Sequence, residues 1–82
     1  PFPDLAVILF QPQGEEPVTV EIFNSLGQQV KTLINAELLA PTPLALTWDA
    51  TDSAGRPVAT GVYLCRMRAG EAARTTRLML VR

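Results

Sequence analysis

With 82 residues the chain is shorter than the ~100–150 of a common domain, so it has material for one hydrophobic core. Hydrophobic residues at 48% and charged ones at 18% exclude a disordered chain, and the longest apolar run, residues 5–10, is far below the ~20 residues of a membrane-spanning helix. Net charge is -1 and histidine is absent, which excludes imidazole-based hydrolases and His-ligated zinc; the lone Cys65 excludes an internal disulfide and a Cys-based metal cluster.

Seven prolines and five glycines punctuate the chain, and between them apolar residues recur with period two, so strands are expected and helix is not. Residues 5–10 form a continuous apolar run and read as a first strand buried on both faces, ended by Pro12 and Gly14. Residues 18–22 alternate, placing Val18, Val20 and Ile22 inward and Thr19 and Glu21 in water. Asn24, Ser25, Leu26, Gly27 and Gln28 make a turn, because Gly27 can take the left-handed conformation, and residues 29–34 return antiparallel. Residues 35–43 carry Pro41 and Pro43 and are read as a long connection.

Leu44, Leu46 and Trp48 alternate with Ala45 and Thr47, which puts the single Trp near the centre of the core. Residues 49–57 form a compact loop held by Asp and Ser side chains, after which Val58 and Ala59 resume extended structure. Residues 62–68 are a strand with Tyr63, Cys65 and Met67 on one face and Arg66 and Arg68 on the other. Residues 69–71 turn the chain into a last strand, 75–81, with Leu78 and Leu80 inward and Arg77 outward. A single sheet of this apolarity would leave one face wet, so the expected fold class is all-β: an immunoglobulin-like β-sandwich of about seven antiparallel strands. The pattern leaves the strand order open, since sandwiches and small barrels share it.

Charge is unevenly spread. Residues 1–52 hold seven acids against Lys31, and residues 53–82 hold six arginines against Glu71. Two readings stand: cross-strand pairing of late arginines with early carboxylates, or a basic strip around Arg66 and Arg68 for an anionic partner. Nothing suggests nucleic-acid reading. Asp49 and Asp52, with Ser53, are weak candidates for a Ca²⁺ site; two carboxylates fall short of six to eight oxygen ligands, and turn-capping is the plainer role. As a general acid and base the same pair lacks an evident cleft. Cys65 reads as core filler, a buried thiol with a raised pKa. Of five aromatic residues, Phe2, Phe10, Phe23, Trp48 and Tyr63, three are needed inside, which leaves a thin basis for sugar stacking. No catalytic residue and no cofactor site is assigned.

Residues 18–24, Leu26 and Gly27 with Val30, Trp48 and Asp49, Asp52, Gly55, residues 57–59, Gly61, Val62 and Tyr63, and Ala69 with Gly70 form an ordered string of short motifs. Over about residues 5–82 it resembles the immunoglobulin-like domain of flagellar hook-capping proteins and the related C-terminal sorting domains of type IX secretion. Ala50, Cys65 and residues 41–43 depart from that pattern, where a Gly, an aromatic and a Gly are usual. The resemblance implies that residues 1–82 are a single β-sandwich module at the C-terminus of a larger secreted protein, such as a glycoside hydrolase or protease. It implies no activity of the module's own. Its role would be secretion and attachment at the bacterial cell surface, with covalently linked upstream domains and the outer-membrane secretion or anchoring machinery as partners. The chain opens on Pro1 without a signal-like segment, which fits a piece of a longer polypeptide. Arg77, Leu78, Met79, Leu80, Val81 and Arg82 are the expected recognised segment, because a terminal edge strand offers unpaired backbone groups. An accessory carbohydrate-binding module and a structural assembly domain are the alternatives.

Overall fold

The computed structural model describes residues 6–81. Leu5 of the expected first strand, Phe2, and Arg82 of the expected recognised segment lie outside these residues. Six strands are present: β1 (Ala6–Phe10), β2 (Val18–Asn24), β3 (Gln29–Glu37), β4 (Leu44–Trp48), β5 (Gly61–Ala69) and β6 (Ala72–Leu80). All pairings are antiparallel, in a small sheet of order β1-β4 and a larger one of order β3-β2-β5-β6. The shortest extent, 21 Å, accommodates two sheets ~10 Å apart and no third layer. The expected all-β immunoglobulin-like sandwich is therefore what forms, with six strands rather than about seven among the described residues.

The missing strand is the one expected to resume at Val58 and Ala59. That stretch makes a single bridge, Thr51 to Pro57, and its Val58 amide bonds Ala50 O at 3.0 Å, so the loop folds on itself instead of extending into a sheet.

Alternation sets the inner faces. Val18, Val20 and Ile22 on β2 are 3%, 0% and 0% exposed, and they face the buried Ile8 and Trp48 of the small sheet together with Ile34, Tyr63, Cys65, Met67 and Leu80. Burying this set removes ~1.5–3 kcal/mol of apolar exposure per large aliphatic side chain. On the other face of β2, Thr19 and Glu21 are half-buried rather than in water, since Arg68 lies across Glu21 at 3.0 Å.

Two strands run further than their sequence pattern shows. β3 extends to Glu37, past the expected end at residue 34, carried by register shifts against β2 and by Ala36 at φ 52°. β6 begins at Ala72 instead of residue 75, because the turn around Gly70 pairs Ala69 directly with Ala72. The expectation that the first strand is buried on both faces is corrected: Ile8 is 3% exposed, but Val7 is 58% and Leu9 75%. Among the described residues β1 pairs only with β4, and the outer face of this small sheet, with Val7 and Leu9, is exposed.

Candidate functional site

The loop after β4 brings together most of the polar side chains singled out in the sequence. Trp48 is fully buried, meets the Tyr63 ring edge-on with centroids 5.1 Å apart, and donates its Nε1 hydrogen to Thr51 O at 2.9 Å. The next residues must turn sharply around that indole. Ala50 does so with a left-handed φ of 61° while fully buried. Asp49 Oδ1 accepts hydrogen bonds from the Thr51 hydroxyl and amide and lies 3.5 Å from Lys31 Nζ, which itself donates to Thr51 Oγ1 at 2.8 Å. The Thr51 hydroxyl, foremost, and then the Lys31 charge hold the Asp49 carboxyl below its ordinary pKa.

Asp52 has its own set of donors: the amides of Ala54 at 2.9 Å and Arg56 at 3.0 Å, and Arg56 Nε at 3.3 Å. The Arg56 amide is the main cause of its lowered pKa. Both carboxylates thus serve as turn acceptors within the 49–57 loop, each occupied by protein donors. Among the described residues no group of three His, Cys, Asp or Glu side chains converges.

Cys65 faces inward between Ile22 and Thr76 of the neighbouring strands, fully buried, and burial pushes its thiol up to about 11. It is protonated and inert at neutral pH. Tyr63 is also inside, its hydroxyl donating to Ala59 O at 2.6 Å, and Phe10 and Phe23 are half-buried. The rings therefore form no exposed coplanar platform among the described residues.

The last strand has a different character. β6 is bonded to β5 on one side and is the edge of the larger sheet on the other. Leu78 is half-buried and Leu80 5% exposed, as their inward assignment requires, while Arg77 points out. Met79 and Val81, 66% and 71% exposed, complete an exposed set of the expected recognition residues. Both readings of the charge asymmetry find residues. Glu21 lies opposite Arg66 and bonds Arg68, which is cross-strand pairing. Arg66, Arg74 and Arg77 form no ion pair among the described residues; Arg66 and Arg77 share the outer face of β5 and β6 as a basic pair, while Arg74 lies on the opposite face. Arg74 was not singled out by the sequence, because the expected strand began after it; its place at the mouth of a groove of about 330 Å³ with Phe10, Val18 and Met67 follows from the earlier start of β6.

Residues 5–73 match the FlgD Ig-like domain family. The chain belongs to it. The resemblance drawn from residues 18–24, Trp48 and the Gly61–Tyr63 region is thereby borne out, and the chain is an immunoglobulin-like accessory domain. No curated protein matches the chain. Among solved structures, dimeric latent PorU from Porphyromonas gingivalis is similar over 99% of this chain, with a TM-score of 0.64 and 26% identity. This FlgD Ig-like domain spans 8% of that PorU chain. The family match stops at residue 73, near the start of β6, whereas the likeness to PorU runs on through the last strand.

Proposed function

We propose that the domain is a non-catalytic terminal module that directs secretion and cell-surface attachment of a larger extracellular protein, read by outer-membrane machinery through residues 77–82. The observation that carries this reading is the position of β6: a solvent-facing edge strand whose outward side chains, Arg77 and Met79, are exposed while Leu78 and Leu80 anchor it to the core. Unpaired backbone groups along such an edge are the usual substrate of strand addition. Membership of the FlgD Ig-like family and the likeness to a small part of PorU support an accessory role beside other domains. The engaged carboxylates Asp49 and Asp52 and the buried Cys65 give the reading no competing chemistry. Carbohydrate binding is the weaker reading, since Trp48 and Tyr63 lie in the core.

The test is export of a neutral reporter carrying residues 1–82 at its C-terminus, in a bacterium with type IX secretion. Deleting residues 77–82 would also remove the buried Leu80, so the informative variant is Arg77→Glu with Met79→Asp, which leaves the core intact. The reporter should reach the cell surface and the variant should remain inside with an unchanged circular dichroism spectrum. Equal export of the two would overturn the proposal.

A further inference from the structure

β6 runs nine residues with no proline or glycine, and residues 72–77 are all exposed. Its two arginines sit on opposite faces. Arg74 is paired across from the buried Met67 and so lies on the inner side, at the groove it shares with Phe10 and Val18; Arg77 is across from Leu64 and lies on the outer side. Arg66 is diagonal to Arg77 on that outer side and adds to the positive potential there. Neither Arg74 nor Arg77 makes an ion pair among the described residues.

Charges on an edge strand, one of them facing inward, ordinarily discourage sheet-to-sheet association. The register shows which association they discourage. Two copies of β6 related by a two-fold axis normal to the sheet pair with like faces together. With the axis at 74 or 77, an arginine faces its own copy directly; at 75 or 76, it faces its copy diagonally. Self-pairing therefore sets guanidinium groups against each other in all four central registers, and like charges at these positions destabilise a ladder. The same positions reward the opposite charge, which is the combination of repulsion and attraction that makes a partner specific.

We propose that β6 accepts an acidic extended segment as an added antiparallel strand, with carboxylates three residues apart facing Arg77 and Arg74. The odd spacing is required because the two arginines project from opposite faces, so the partner's acids must do likewise. This inference rests on reading the last strand as the recognised segment and specifies the chemistry of what recognises it.

The experiment titrates the 82-residue chain with three peptides: acetyl-TVEITEVT-amide, its acid-free analogue acetyl-TVQITQVT-amide, and the charge-matched acetyl-TVEIEIVT-amide, whose acids share one face. Two cross-strand ion pairs correspond to an affinity gain of about two- to thirty-fold for the first peptide over the second. The third should bind more weakly than the first. Arg74→Gln with Arg77→Gln, both at exposed positions, should remove the preference, and N-methylation of alternate peptide amides should abolish binding. Equal binding of the first and third peptides would mean attraction of any polyanion to a basic surface, and would overturn the inference, as would binding that survives N-methylation. The export assay fails separately: equal binding of all three peptides leaves its result standing, and export indifferent to Arg77 and Met79 sinks the sorting reading whatever the peptides do.

Discussion

Cys65 couples the core of this domain to alkaline pH. Its thiol is pushed up to about 11 because burial between Ile22 and Thr76 of the flanking strands disfavours the charged thiolate. The unfolded chain ionises near the ordinary value of 9.0. Below that pH both states hold the proton and nothing is gained or lost. Between 9 and about 11 the unfolded state releases it while the native state keeps it, so stability falls as pH rises through this window. The full effect is on the order of 2–3 kcal/mol. Urea titrations at pH 8 and pH 10.5 should show a larger loss for the natural chain than for Cys65→Ala; equal losses would mean that Cys65 is not the source of the alkaline sensitivity. Ala50, close by, is held differently. Its left-handed φ of 61° costs ~1 kcal/mol for an L side chain, but the buried methyl returns about 0.8 kcal/mol, so an alanine survives where the family pattern has glycine.

Among the elements, the β2–β3 hairpin draws most of its turn geometry from one side chain. Asn24 Oδ1 accepts from the amides of Leu26 and Gln28, both at 3.0 Å, and Nδ2 donates to Gln28 Oε1 at 2.9 Å. Gly27 completes the reversal at φ 81°, with open space where a Cβ would project. Asn24→Ala should cost about 1 kcal/mol, since water can replace the lost acceptor, and Gly27→Ala a similar amount through backbone strain alone. Both should lower the denaturant midpoint without changing the slope; an unmoved midpoint would show that strand packing alone sets this register. The hairpin was legible in the sequence because every signal for it is local: alternation at Val18, Val20 and Ile22, then a turn residue pair. The β1 run was misread for the opposite reason. Six apolar residues in succession fit a strand covered on both sides, but whether a second layer exists above Val7 and Leu9 depends on how many strands join the small sheet. β6 lost its first three residues to the same limit, since Ala72, Ala73 and Arg74 carry no periodic pattern and are extended only because Ala69, Arg68 and Met67 pair with them. The candidate site divides likewise. That Asp49 and Asp52 cap turns was readable from spacing, whereas the opposed faces of Arg74 and Arg77 needed the register.

At the scale of the molecule, the two sheets are unequal partners. A two-stranded sheet is marginal in water, so β1 and β4 persist only while Ile8 and Trp48 are pressed against the four-stranded sheet. The larger sheet is no more independent, for without that cover the inner faces of β2 and β5, including the fully buried Val20, Ile22 and Cys65, would open to solvent. Neither half has a free state of its own to populate, and no disulfide ties the strands together in place of packing, Cys65 being free. Unfolding should therefore be two-state, with a stability of roughly 4–12 kcal/mol for a chain of this length. Trp48 offers the decisive probe, because it sits on the small sheet with its ring against Tyr63 of the large one. Its fluorescence reports separation of the layers, and far-ultraviolet circular dichroism reports loss of the strands. The two transitions should coincide in urea. A fluorescence change that precedes the loss of strand signal would show the small sheet peeling away, and β6 would then present its edge from a four-stranded sheet standing alone.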